Sequence, residues 1–239
     1  TLLYRGKKRL SGFDDDVRNH LHGEIEKNGI CVRLMCDVTR IDKKPDGTLL
    51  LTLTNGEQLA CDAVMYATGR RPNVENLGLE AAGVKCNSDG AIAVDSFSQT
   101  SVPNIYAIGD VTDRIALTPV AIKEAMAFEA TVFGGKPTPA DHKDVPSAVF
   151  SQPSVGTVGL TEAEARSQYG AVEIYKSTFK PMKHTLSGRD EKSLMKLIVD
   201  EARQRVVGAH MVGPDAAEII QVLAIAIKMG ATKAQFDAT

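Results

Sequence analysis

The sequence predicts a chain that starts with α/β character and ends as an α+β layer, and three observations carry this. Two apolar runs, Asp62-Ala-Val-Met-Tyr-Ala67 and Asn104-Ile-Tyr-Ala-Ile-Gly109, read as buried strands closed by glycine-bearing turns. The first stretch runs strand, basic loop, helix: Leu2-Leu3-Tyr4 is apolar, and Asp14 to Asn28 alternates charged and apolar residues at helical spacing. From Ser147 onward strands follow one another and end in an apolar helix, a pattern that places helices on one side of a sheet.

Between these landmarks, Cys31 to Ile41, Leu49 to Thr54 and Gln58 to Ala60 read as strands, with Pro45-Asp46-Gly47 and Asn55-Gly56 as the turns of a small meander. Thr68-Gly69-Arg70-Arg71-Pro72-Asn73 stops the strand before it, and a domain boundary is expected there. A loop-rich section extends to Thr100. A helix is expected from Pro119 to Phe133, with Thr118 as N-cap and Pro119 at the first helical position, where its missing donor does no harm. Gly134-Gly135-Lys136-Pro137 ends it, and Pro137 to Lys143 reads as a linker.

Farther on, strands are expected at Ser147 to Ser151, Val172 to Phe179, Leu194 to Val199 and Val206 to Val212. Thr161-Glu-Ala-Glu164 is a capping box opening a helix to about Tyr169. The last helix, Pro214 to Met229, carries the apolar face Ile219, Ile220, Leu223, Ala224, Ile227, a pattern that on general grounds belongs to a core more often than to an interface.

With 239 residues the chain is long enough to bury one large or two small cores. A net charge of -2 gives no general attraction to nucleic acid or anionic membrane, so charge arguments must be local. Thr1-Leu2-Leu3-Tyr4-Arg5 has neither the length nor the small-residue site of a signal peptide, and no run is long and apolar enough to span a bilayer. No metal-ligand spacing is present. Four cysteines without paired spacing suit reduced thiols, hence cytoplasm or an organelle stroma. Cys31 and Cys36 stand at a redox-pair spacing, but residues five apart on a strand point to opposite faces roughly 16 Å apart, out of disulfide reach.

Two sets of residues carry chemistry. Arg5-Gly6-Lys7-Lys8-Arg9 places positive charge directly after a strand, where nucleotides bind at sheet edges. An arginine there can hold a 2′-phosphate through paired, charge-assisted hydrogen bonds, so Arg5 favours NADPH over NADH, although such a basic run taken alone is more often a solvated loop. Tyr66-Ala-Thr-Gly-Arg70 and Tyr106-Ala-Ile-Gly-Asp110 each end in a glycine that lets a ligand approach the backbone. Asp110 is placed to accept hydrogen bonds from sugar-alcohol hydroxyls, and the helix start at Thr118 can aim its dipole at an electron-rich ring, although an Asp after a strand is more often a turn former.

Taken together and in this order, these motifs resemble the two-dinucleotide-binding flavoprotein disulfide reductases, a pyridine nucleotide-disulfide oxidoreductase family that includes glutathione, trypanothione and mercuric reductases and lipoamide dehydrogenase. Within it, Leu117-Thr-Pro-Val-Ala121, Phe150-Ser-Gln-Pro-Ser-Val-Gly-Thr-Val-Gly-Leu160, Phe179-Lys-Pro-Met182 and Lys228-Met-Gly-Ala-Thr-Lys233 are most similar to the glutathione-reducing branch. The resemblance implies parts of two Rossmann-like dinucleotide-binding domains followed by an α+β dimerisation domain. The expected divisions are 1–70 for the end of the NADPH domain, 71–141 for a segment of the FAD domain and 142–239 for the dimerisation domain. It implies FAD and NADPH as cofactors, glutathione disulfide as substrate, and a homodimer with the last apolar helix at its interface.

By the same resemblance, Asp110 contacts the flavin ribityl chain, Thr118 lies beside the isoalloxazine, Arg5 and Gly69 contact NADPH, and Ala116 and Ala148 line the nicotinamide side. Phe179, Met182 and His184 help form the glutathione pocket of a neighbouring subunit, although Phe179 and Met182 beside a proline serve equally well as packing residues. The redox cysteine pair, the phosphate loops and an acid-base histidine are expected outside these residues, so that the chain alone would be inactive.

Two departures bear on specificity. Family members carry a second phosphate-binding arginine where Ser11 stands in Leu10-Ser11-Gly12-Phe13-Asp14, and Lys8 or Arg9 are the residues able to compensate from the same loop. Some relatives place a glutathione-binding arginine where Met126 stands.

Overall fold

The computed structural model describes residues 1–239, which form two compact units: residues 1–65 together with 144–239, and residues 66–143. Chain order begins with β1 (Leu2–Tyr4), α1 (Asp15–Lys27) and β2 (Val32–Leu34). β1 and β2 pair in parallel, Leu2 opposite Val32, so the helix is the crossover that parallel pairing requires. Asp14 caps α1 by accepting the Asp16 amide at 3.0 Å, Asp15 and Asp16 favour the positive helix end, and Val17, Leu21 and Ile25 form its buried stripe.

β3 (Val38–Lys43), β4 (Leu49–Leu53) and β5 (Gln58–Cys61) form the expected antiparallel meander. Its turns use Gly47 and Gly56 at φ +92° and +83°. The single strand expected from Cys31 to Ile41 is two strands, because Met35 takes a left-handed conformation, φ +53°, between β2 and β3. Cys31 is exposed, Cys36 is buried, and neither forms a disulfide.

The apolar runs 62–67 and 104–109 form no ladder, contrary to the sequence expectation. A buried parallel strand draws its stability from neighbours on either side, and neither run has one. Met65 and Tyr66 are accordingly exposed, while Tyr106 keeps one bridge to Gln99. The second unit instead combines a one-turn helix, α2 (Leu79–Ala82), a 3-10 turn at Gly109–Thr112, and α3 (Thr118–Val132). Its small core centres on Val84, Ile92 and Ala107. Thr118 is not the N-cap: Leu117 occupies that position, with no side-chain cap bond, and Thr118 is the first helical residue.

Residues 144–239 build a five-stranded antiparallel sheet. Its elements are β6 (Ser147–Val149), β7 (Val155–Gly159), α4 (Glu162–Tyr169), β8 (Val172–Phe179), α5 (Lys183–Ser187), β9 (Ser193–Asp200), β10 (Arg205–Val212), α6 (Ala216–Lys228) and α7 (Lys233–Asp237). Strand order is β6-β7-β10-β9-β8. The capping box forms as expected, Thr161 with Glu164.

Helices lie on both faces of this sheet, not on one. Val199, Val206 and Ala209 pack against α6 through Ile220, Ala224 and Ile227. On the opposite face Val155, Leu194 and Val212 pack against Val17, Leu21 and Ile25 of α1, and Ile198 packs against Ala165 of α4. The central strands are apolar on both sides, and α1 arrives from far earlier in the chain to cover the second. Close approach of α6 depends on Gly156, where a Cβ would lie 2.9 Å from that of Ile220. The solvent side of α6 remains apolar, with Val222 66 %, Ile225 61 % and Met229 81 % exposed.

Candidate dinucleotide-binding and substrate site

In the second unit the Gly109–Asp110 turn rests on a buried carboxylate. Gly109 has φ +71°, and its amide donates to Glu124 Oε2 at 2.6 Å. Glu124, on α3 and only 2 % exposed, also meets Arg114 at 2.9 Å and His142 Nε2 at 2.6 Å through Oε1. Arg114 further binds Ser98 and Thr112. One buried acid thus ties the turn, the loop after it and the segment following α3 to one point. A buried carboxylate is tolerated only when its oxygens are satisfied in this way. Asp110, Ala116 and Thr118 stand exposed above it, the last at the start of α3. Gly69, also in this unit, is exposed with φ +121°, a conformation that strongly favours glycine.

In the first unit Arg5 is exposed directly after β1. The loop it opens is held from α1: Arg18 Nε donates to the Arg9 carbonyl at 2.6 Å and Nη2 to the Lys8 carbonyl at 2.7 Å. Neither expected substitute for a second phosphate-binding arginine is free. Lys8 pairs with Asp15 at 3.0 Å, and the Arg9 guanidinium turns inward, where burial lowers its pKa against the pull of Glu26. Arg5, Lys7 and Ser11 are exposed in this loop.

Ala148 is half-buried in β6, opposite Gly156. Phe179 ends β8, and Met182, two residues past Lys180, is 91 % exposed. His184 differs from its neighbours. It is buried, and its Nε2 lies 3.3 Å from Glu191 Oε1.

An ionic centre that sequence reasoning missed lies where α1 meets the sheet. Lys196, on β9 and 2 % exposed, reaches Asp14 at 3.0 Å, Asp16 at 2.7 Å and Glu162 at 2.7 Å. Burial would raise the Asp14 carboxyl, but the Glu162 amide and Lys196 outweigh it and hold the group below the ordinary carboxylate range. Asp16 shows the same balance, and Glu162 is lowered chiefly by its hydrogen bond to Lys196. Burial pulls the Lys196 ammonium down, yet the three carboxylates hold its pKa above the usual lysine value. His210, buried beside them, is pushed down by desolvation; its Nε2 donates to the Leu160 carbonyl at 3.0 Å and its Nδ1 accepts from Thr157 at 2.5 Å. The only sequence signal was a lysine in the middle of an apolar strand.

A glycine turn beside a helix start, a cationic loop after a parallel strand, and a two-faced antiparallel sheet place the chain among mixed α/β proteins with an appended antiparallel sheet domain. Two family profiles match the chain: pyridine nucleotide-disulphide oxidoreductase over residues 1–125, and the dimerisation domain of the same family over residues 145–239. The chain belongs to the pyridine nucleotide-disulphide oxidoreductases. It is 57 % identical over 237 residues to a glutathione reductase of Burkholderia cepacia, covering 99 % of this chain and 53 % of that protein. It is 46 % identical to a trypanothione reductase of Leishmania donovani, covering 100 % and 49 %. Among solved structures, the HOCl-induced flavoprotein disulfide reductase RclA from Escherichia coli superposes with a TM-score of 0.86 at 28 % identity, covering 96 % of this chain and 53 % of that one. The chain spans about half the length of the curated relatives it matches. No helix is long and apolar enough to cross a membrane.

Proposed function

We propose that this chain is part of a glutathione-disulfide reductase that uses NADPH and FAD, and that it supplies flavin and nucleotide contacts together with a dimerisation surface. The observation that carries the reading is the Gly109–Asp110 turn, fixed from beneath by Glu124 with Asp110, Ala116 and Thr118 exposed above it. These residues fit a flavin: a carboxylate free to accept from ribityl hydroxyls, a small side chain, and a helix start whose dipole favours negative charge. When bound, the flavin carries electrons from the nicotinamide to a disulfide.

The chain's own residues bind and orient. Arg5 pairs its fixed charge with the nucleotide 2′-phosphate, with Ser11 offering one uncharged hydrogen bond beside it. Gly69 gives close backbone approach, and Ala148 leaves room on the nicotinamide side. Phe179 and Met182 present apolar surface to the disulfide substrate bound by a second subunit, while buried His184 supports the turn that carries them. The dithiol step is not placed on Cys31 and Cys36, which stand on either side of β2, one exposed and one buried. The exposed apolar side of α6 serves a homodimer. A cytoplasmic or stromal setting suits these thiols. The domain reading is 1–70 for nucleotide binding, 71–141 for flavin binding and 142–239 for dimerisation.

One observation favours a second substrate: Met126 is 67 % exposed where some glutathione-binding relatives carry an arginine, which suits a less acidic disulfide such as trypanothione. The test is a graft in which this chain replaces the matching segment of the Burkholderia cepacia relative, assayed with glutathione disulfide and trypanothione disulfide. Preferential turnover of glutathione disulfide with NADPH is expected. Bound flavin with turnover of trypanothione disulfide alone would overturn the substrate, and Arg5→Ala raising the KM for NADH as much as that for NADPH would overturn the phosphate contact.

A further inference from the structure

The Lys196 centre is too far along the chain from the nucleotide loop for a sequence argument to join them, yet an unbroken set of short contacts does. Arg18 holds the carbonyls of Lys8 and Arg9 at 2.7 and 2.6 Å. Asp15 holds Lys8 at 3.0 Å and Arg18 at 3.1 Å. Asp14, the N-cap of the helix bearing both, is bound by Lys196 from the sheet and by the Glu162 amide at 2.9 Å. Leu10 and Phe13 pack into the core shared by α1 and the sheet. The loop is therefore braced against the dimerisation sheet and not only against β1 and β2.

We propose that Lys196 is a positioning residue for recognition of the cofactor 2′-phosphate: it fixes the start of α1, and α1 fixes the loop that presents Arg5. This rests on the reading of Arg5 as the phosphate contact. Lys196 is buried with its ammonium on three carboxylates, so it acts through α1 and not by direct contact. Its effect falls on the loop that distinguishes the two nucleotides, because NADH lacks the group that loop receives. A buried cation holding three carboxylates is also costly to rearrange, which suits a fixed brace better than a surface pair would.

The test uses the same graft, with steady-state kinetics in NADPH and NADH for Lys196→Met, Asp16→Asn and Arg5→Ala. Asp16→Asn weakens the centre from its more open side, leaves Asp14 and Glu162 on Lys196, and gives a variant that folds if Lys196→Met does not. The expected result for Lys196→Met is a rise of about tenfold in the KM for NADPH, with kcat and the KM for NADH within about twofold, the scale of one charge-assisted hydrogen bond. Asp16→Asn shifts the same parameter in the same direction by a smaller factor. Equal shifts for both nucleotides would mean general loosening and overturn the proposal. So would an unchanged KM for NADPH in both brace variants while Arg5→Ala raises it. If Arg5→Ala also leaves the nucleotide preference intact, the phosphate contact itself is wrong and the brace falls with it.

Discussion

Glu124 accepts the Gly109 amide at 2.6 Å, so a buried side chain of α3 sets the backbone of the turn that presents Asp110. Replacing Glu124 by alanine leaves a buried amide, Arg114 and His142 without their shared partner, a loss of about 1–3 kcal/mol. In the grafted enzyme Glu124→Ala is expected to release flavin on gel filtration, whereas Glu124→Gln keeps an oxygen for the amide and retains more of it. Equal retention by both variants and the parent would show that the turn holds itself.

The Lys196 centre makes stability depend on pH at both ends of the range, with a sign for each. Asp14, Asp16 and Glu162 are held below their ordinary values, so their contribution is complete above the unfolded carboxylate range near pH 4 and is lost as pH falls through the folded values. Lys196 is held above its ordinary value, so its share persists through neutrality and fades only as pH rises past about 10.4. Urea unfolding should therefore show a plateau falling at both ends. Lys196→Met, which strands three carboxylates, is expected to cost about 3–5 kcal/mol at pH 7.

His210 acts earlier on the acid side. Burial lowers its pKa, so the unfolded chain takes up a proton near pH 6.5 that the folded chain refuses, and stability declines as pH falls below about 6.5. His210→Gln should flatten unfolding midpoints measured between about pH 5 and pH 7. An unchanged slope would place the acid sensitivity elsewhere.

α6 carries two apolar faces, and they predict opposite outcomes. Gly156→Val pushes into Ile220 and the backbone at Ala216 and should lower Tm, by the several degrees that about 1–3 kcal/mol implies. Val222→Glu or Ile225→Glu, on the exposed face, should leave Tm of the isolated subunit nearly unchanged while light scattering reports monomer in place of dimer. A dimer that survives both charges would move the interface off this helix.

Much of the fold was legible from local pattern. The Thr161–Glu164 capping box and the full extent of β8, Val172 to Phe179, are read from spacing alone because their determinants lie within a few residues. The runs at 62–67 and 104–109 looked like strands because β-rich apolar composition reports suitability for a ladder, not the presence of partners. β7 was overlooked since Gly156 and Gly159 weaken its alternation, and its glycines answer to α6 and to the Val207 backbone, which local sequence does not reveal. Asp110 and Arg5 could be singled out by their places after apolar runs. Glu124 and Lys196 could not, because their meaning lies in partners as distant as Asp14, 182 residues away.

The most direct measurement is anaerobic titration of the purified graft with NADPH while following the flavin absorbance. One flavin per subunit, whose absorbance changes with about one equivalent of NADPH as two electrons pass through it to the disulfide and reverts on addition of glutathione disulfide, is the expected result. A graft that folds and dimerises yet holds no flavin, or holds flavin whose absorbance NADPH does not change, would contradict the assignment of these residues to cofactor binding.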